Sequence, residues 1–311
     1  PWGRLDEIPW LPKQRYAIMR DYLPRHGRHG HDMMKRTATV QVNLDFADEA
    51  DAAEKMRVGF ACSSIVTALY AASPITEGRP NGYKSFRAAV WLDMDESRCG
   101  LIPAVFEPGF GYRAYAEWAA DVPMFFLARN GQYHALPNLT FRRFMKEGWQ
   151  GEHATLDDWA LHLSTVFPEV RLKRTIEMRG ADAGPLPFVD GLAALWHGLL
   201  DDPDARQAAW ARVAKASSGE RLDLRRAVPR AGLSARFLGR DLAALASELC
   251  DIAAAGLARI PGGERDRPLL EPLAQFARAG RSPADDMLKD FDAHRGNPQR
   301  LIEAWQLAET S

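Results

Sequence analysis

Thr37-Ala38-Thr39-Val40-Gln41-Val42-Asn43-Leu44-Asp45-Phe46 alternates polar and apolar residues without a break. That is the two-residue period of a strand with one buried face. Ala38, Val40, Val42, Leu44 and Phe46 make the expected core row, and Thr37, Thr39, Gln41, Asn43 and Asp45 share the other face. Asp48 then reads as the N-cap of a long helix running to about Ala72, where Ser73-Pro74 stops it. Residues 170–179 repeat the alternation and read as a second strand. Arg171, Lys173, Thr175, Glu177 and Arg179 share one face, with Leu172, Ile176 and Met178 opposite and Arg174 as the exception.

Alternation alone makes such polar rows the water-facing side of an antiparallel sheet. Their composition argues for another use. One row offers amides, hydroxyls and a carboxylate, and the other places three cations around a single Glu. Arg and Lys suit phosphate oxygens, the first as a fork and the second as a point charge. A lone carboxylate among them suits Mg²⁺ held against a polyphosphate. The two rows read as the lining of a nucleotide funnel. The sequence has no GxxxxGK[ST] loop and no GxGxxG after a strand, which argues against P-loop and Rossmann sites. It also has no GxSxG elbow.

Residues 12–23 read as a short helix and 24–31 as a Gly/His loop. His26, His29 and His31 in that loop allow a metal site or simply a flexible polar segment. Asn130-Gly131 between apolar runs signals a hairpin over 122–136. Thr155-Leu156-Asp157-Asp158 resembles a capping box opening a helix that ends before Pro168. Helical patterns follow at 187–200, 204–216, 240–259, 268–280, 283–294 and 298–308. The class is therefore α+β, with strands concentrated before residue 180. Arg87, on an expected loop after the Ser73-Pro74 stop, is either a surface arginine or a fork for a substrate carboxylate.

The 311 residues carry 40 Lys+Arg against 41 Asp+Glu, and 46% are hydrophobic. Such a balance gives no global field for nucleic acid or an anionic surface, and no apolar run has the length of a membrane span. Cys62, Cys99 and Cys250 fall in no paired or metal-binding pattern, and no signal-peptide pattern opens the chain. These features predict a reduced, cytoplasmic protein without structural zinc. A start at Pro1, with Trp2 and Trp10 close behind, reads as that of a fragment.

Several of these segments resemble the glutamate–cysteine ligases of the type shared by plants and many bacteria. The resemblance runs through Arg15-Tyr16, Asp32-Met33-Met34, Thr37 through Phe46, Ser73-Pro74, Arg87, Trp91, Asp121 through Met124, Asp158-Trp159 and Phe167 through Asp182. It implies a glutamine-synthetase-like fold: a curved antiparallel sheet with surrounding helices and a helical C-terminal part. Residues 1–311 are then a single catalytic domain, mixed over 1–185 and mainly helical over 186–311, lacking an N-terminal segment that supplies further metal ligands in the family. The implied reaction uses ATP and Mg²⁺ to phosphorylate the γ-carboxylate of glutamate, after which the cysteine amine displaces phosphate. By motif, Arg87 holds the glutamate α-carboxylate, Thr37 and Thr39 line its pocket, and Arg15 lies at the substrate and phosphate end. Lys173 and Arg179 contact ATP phosphates, Asn43 orients the nucleotide or the metal, and Glu177 with Gln41 faces Mg²⁺. Another acceptor amine, or a truncated non-catalytic homologue, stays open as an alternative. The expected partners are these small molecules, not nucleic acid or membrane, and the oligomeric state is not read. Ala135 and Asp190 stand at or near the positions of the plant enzymes' regulatory cysteines, so disulfide regulation is not expected.

Overall fold

The structure is a computed structural model that describes residues 1–136 and 138–305. Its mixed helix and sheet content bears out the α+β class. The long helix Glu49–Leu69 lies at the centre. Asp48 caps it by accepting from the Asp51 amide at 2.9 Å. Almost every residue from Val58 to Leu69 is buried, because the helix is covered on all sides rather than along one stripe.

A three-stranded antiparallel sheet lies on this helix. Strand Ile176–Met178 is central, between Val42–Leu44 and Val170–Leu172. Val42, Met178 and Val170 lie in register, as do Leu44, Ile176 and Leu172, and these rows face the core. Gly59 permits the contact: a Cβ there would come within 2.9 Å of Met178 Cε.

Two corrections follow. Residues 170–179 are not one strand but a tight hairpin, with Lys173, Arg174 and Thr175 at its tip. Arg174 broke the alternation because it sits at that tip, exposed. The strand expected over 37–46 is regular only over Val42–Leu44, with a single bridge from Thr39 to Asp182 ahead of it. Ala38 is exposed and does not belong to the core row.

The Asn130-Gly131 hairpin forms as expected, joining Phe126–Arg129 to Gln132–Ala135 with positive φ at both turn residues. Thr155 makes its capping box with Asp158, opening Leu156–Leu163. The Gly/His loop is shorter than expected, because Gly30 and His31 open the helix Gly30–Arg36. Each histidine has a local partner: His26 with the Tyr22 carbonyl, His29 with Asp32 and His31 with the Arg20 carbonyl. The second half is helical at Leu186–Leu200, Pro203–Val213, Leu242–Leu257, Glu271–Arg278, Pro283–Ala293 and Pro298–Trp305. Residues 306–308 of the last expected helix lie outside the described residues.

A further helix, Ser218–Ala231, was not expected. Its capping box, Ser217 with Glu220, is legible in the sequence, but Pro229 inside its last turn conceals the rest. It packs against Glu49–Leu69 and against Phe86–Leu92. The Pro229 carbonyl accepts the amides of Lys84 and Ser85 at 2.8 and 3.0 Å. The helical half thereby holds the loop leading into Arg87.

A buried polar knot ties the N-terminal helix Gln14–Tyr22 to the body. Asp95 accepts from the Tyr22 hydroxyl at 2.8 Å and from Arg98 Nε at 2.7 Å, while Arg98 also donates to the Pro123 and Thr165 carbonyls. Burial pushes the Asp95 carboxyl up, but Arg98 and hydrogen bonds from Ser97 and Tyr22 outweigh it and hold it down at about 2. A depressed carboxyl contributes stability above its unfolded value and loses it as pH falls through its folded value. Asp95→Asn should therefore cost about 3 kcal/mol at pH 7, because it strands a fully buried Arg98. In urea titrations the gap to wild type should persist down to about pH 4 and narrow below it; a gap unchanged between pH 4 and pH 2.5 would contradict this account.

Candidate active site

The register of the three strands assembles the site's first group. Asn43 lies opposite Glu177, and Glu177 opposite Arg171, so all three project from the face away from the core. Arg171 donates to Glu177 through Nε at 2.9 Å and Nη2 at 3.1 Å. Lys173 Nζ reaches the same carboxylate at 2.9 Å and Arg179 Nη1 at 2.8 Å. The three cations around one Glu are thus real, although the hairpin fold places them there rather than a single extended row.

This face is not a plain solvent face. Arg171, Glu177 and Arg179 are buried, whereas Lys173 and Asn43 are exposed, so the row runs from interior to surface. Burial opposes ionisation of Glu177, but Lys173, Arg179 and Arg171 together hold its carboxyl below the usual value. Burial, with Arg171 adding to it, lowers the Arg179 guanidinium to about 10.

Arg87 is not on a loop. It lies in the first turn of the helix Phe86–Leu92, capped by Ser85, and is buried. Of the five N–H donors of a guanidinium, one from Nη1 goes to the Gly180 carbonyl at 3.2 Å and one from Nη2 to the Arg179 carbonyl at 2.7 Å. Its Nε has no hydrogen-bond partner among the described residues. Burial pushes this guanidinium below its ordinary value, offset in part by the charges of Asp182 and Glu169.

Trp91 joins the two arginines, its ring 5.9 Å from the guanidinium carbons of both Arg87 and Arg179. A void of about 30 Å³, water-sized, lies among Arg87, Trp91, Glu169, Arg179 and Arg225. Two larger cavities flank the pair and share Ile8 and Lys35. One, of about 590 Å³, is lined by Arg87, Thr37 and Asp182 together with Trp2, Phe86 and Trp305. The other, of about 540 Å³, is lined by Arg15, Lys35 and Arg179 among the rings of Trp10, Tyr16, Trp91 and Phe167, with no carboxylate among the described residues. Buried donors without a partner collect here: Arg15 Nε, Arg87 Nε, Trp91 Nε1 and Trp2 Nε1. Unsatisfied buried donors are costly, and at a cavity wall they mark where an acceptor binds.

The structure therefore brings Arg15 and Arg179 to one cavity and Arg87 and Thr37 to the other, while Lys173 and Glu177 join Arg179 in the charge cluster and line neither cavity. Thr39 is only indirectly part of it, donating its hydroxyl to the Ala181 carbonyl at 2.7 Å. Asn43 accepts from Thr175 and lines a separate open cavity with Asp45, Lys55 and Asp201, away from Arg87 and Arg15. Gln41 is half-buried two residues from Asn43.

Both Glu177 oxygens already accept from cations, and among the described residues no three His, Cys, Asp or Glu side chains converge. Glu177 and Gln41 do not by themselves compose a divalent-cation site. Sequence reading also missed Trp91, Lys35, Glu169 and Arg225 as site residues. Arg225 lies on the unexpected helix and donates to Glu169 at 2.8 Å. Among the described residues no helix is long and apolar enough to cross a membrane.

Comparison with known proteins gives the family. The sequence profile of glutamate–cysteine ligase family 2 matches residues 1–304. A chloroplastic glutamate–cysteine ligase of Brassica juncea is 44% identical over 299 residues, 95% of this chain and 58% of the relative. That of Arabidopsis thaliana is 44% identical over 95% of this chain and 57% of the relative, and form B of Oryza sativa subsp. japonica is 43% identical over 94% and 59%. The chain thus spans somewhat over half the length of the curated relatives it matches. Their names overturn the cytoplasmic expectation, since each is a chloroplastic enzyme.

The buried centre gives a stability test. Glu177→Gln should cost about 3 kcal/mol, because three cations lose their counter-charge in a buried place. Lys173→Met, at the exposed end, should cost under about 1 kcal/mol. Chemical denaturation checks both, and equal losses would contradict the burial gradient.

Proposed function

Because this chain belongs to glutamate–cysteine ligase family 2, we propose that its site joins the γ-carboxylate of glutamate to the amine of cysteine at the expense of ATP, the first step of glutathione biosynthesis. An oxygen of the γ-carboxylate attacks the terminal phosphorus of ATP, the bond to ADP breaks, and an acyl phosphate forms. The cysteine amine then attacks that carbonyl, phosphate leaves, and the amine loses a proton. An unactivated carboxylate is a poor acylating agent, and phosphorylation supplies the leaving group.

The observation that carries this reading is the cavity of Arg15, Lys35 and Arg179, which has no carboxylate among the described residues and adjoins a buried Arg87 with an unspent N–H. Such a wall neutralises phosphate charge, which is the main demand of phosphoryl transfer. Arg179 and Lys173 act on the phosphates, with Arg15 at the same end. Arg87 takes the glutamate α-carboxylate, with Thr37 and Thr39 beside it; Asn43, which lines a separate cavity, is given no part in the reaction. ATP, carried as its magnesium complex, is the phosphoryl donor. On the same reading residues 1–311 act as one catalytic unit, and the short antiparallel sheet is part of a glutamine-synthetase-like curved sheet. Support for one unit comes from the helical half, whose Arg225 reaches into the site.

Release of ADP should require both glutamate and cysteine in addition to Mg²⁺-ATP. Arg179→Lys should lower kcat/KM by about a hundredfold or more, the usual effect of losing one fixed charge-stabilising donor. Arg87→Ala should abolish turnover. Near-normal turnover in either variant would remove that residue's assignment, and ADP release independent of glutamate would remove the function.

A further inference from the structure

Asp182 is fully buried and carries no direct ion pair among the described residues. Burial pushes its carboxyl above the ordinary value, and Arg87 and three hydrogen bonds work against that push. Its Oδ2 accepts from the Ala72 amide at 3.0 Å and the Ser73 hydroxyl at 2.7 Å, and its Oδ1 from the Ser85 hydroxyl at 2.8 Å. Arg87 is close enough for its charge to act on Asp182, yet it donates to backbone carbonyls instead.

A hydroxyl has one proton to give. With both serine protons committed to Asp182, both serine oxygens are left as acceptors. Ser73 Oγ accepts the Arg87 amide at 3.1 Å, and Ser85 Oγ accepts the Ala88 amide at 3.0 Å. Those amides belong to the first turn of the helix Phe86–Leu92, whose donors have no partner within the helix. Residues 179–182 therefore grip Arg87 twice. The carbonyls of Arg179 and Gly180 hold its guanidinium, and Asp182, through two serines, holds its backbone.

We propose that Asp182 is a positioning residue for Arg87: it orients the Ser73 and Ser85 hydroxyls and locks the turn that carries this arginine, which lines the cavity where a substrate carboxylate would bind and whose Nε has no partner among the described residues. This rests on the reading of Arg87 as the carboxylate-binding group. An asparagine at 182 meets the site badly: turned one way its NH₂ group faces the Ala72 amide, donor against donor, and turned the other way it donates to Ser85 Oγ and leaves the Ser85 proton without its acceptor.

The test compares the whole chain with Asp182→Asn, Ser73→Ala and Ser85→Ala, by amide hydrogen exchange and by kinetics with L-glutamate and ATP varied separately. Asp182→Asn should speed exchange at residues 86–88 about tenfold, the loss of one capping bond, while 176–178 and 242–257 keep their protection. It should raise KM for glutamate about tenfold and leave KM for ATP within about twofold. Each serine variant should move both readouts the same way by less, and these milder variants decide the matter if Asp182→Asn does not fold. Unchanged exchange at 86–88, or equal rises in both KM values, would overturn the proposal. A wild-type chain that turns over no glutamate contradicts the ligase reading instead, and the exchange measurement still decides what Asp182 holds.

Discussion

Glu177 has to balance three cations in a place that water scarcely reaches, and the local fold is arranged around that requirement. A buried charge without a partner is among the most expensive features a protein can carry. Here the compensation is geometric. The hairpin sets Arg171 directly opposite Glu177, its tip returns Lys173 to the same carboxylate, and Arg179 follows two residues on along the same face. A register shift of one residue would turn Glu177 into the core and Met178 out of it. The same pairing that buries Val170, Ile176 and Met178 against the helix Glu49–Leu69 thus also fixes the charge cluster.

From that cluster the site extends in one direction, through Arg179 to Trp91 and Arg87. The helical half of the chain serves this end of the site. Arg225 on the helix Ser218–Ala231 anchors Glu169, whose carbonyl accepts the Arg179 amide at 3.2 Å. Pro229 on the same helix holds the Lys84-Ser85 amides just ahead of Arg87. The result is a set of arginines fixed by backbone carbonyls or by the carboxylates of Glu177 and Glu169, with buried donors left without a partner among the described residues. Fixed donors that need no reorganisation suit a reaction in which charge moves onto phosphate oxygens.

Much of this was legible in the sequence, for reasons particular to each segment. The unbroken alternation of Thr37 through Phe46 marked a strand, though only Val42–Leu44 pairs regularly. Asp48, Asn130-Gly131 and Thr155 announced their cap, turn and capping box because those signals are local. The composition of 171–179 gave the charge cluster correctly and its shape wrongly. A three-residue tip preserves two-residue alternation so well that Arg174 was the only sign of the hairpin. Long-range facts were not legible. Nothing local tells that Arg87 is buried in a helix, that Trp91 lies near two guanidinium groups, or that Arg225 crosses from a helix hidden by Pro229. The cytoplasmic reading rested on cysteine usage and on features that were not found, and the names of the chloroplastic relatives overturned it.

If this wall of fixed cations serves to phosphorylate a carboxylate, a carboxylate oxygen must leave with the phosphate. The most direct measurement follows oxygen: glutamate labelled with oxygen-18 in its γ-carboxylate is supplied with ATP, Mg²⁺ and cysteine, and the released phosphate is weighed by mass spectrometry. The account predicts that each phosphate released carries one labelled oxygen, transferred when the acyl phosphate is cleaved by the amine. Released phosphate without label, alongside labelled glutamate consumed, would contradict it.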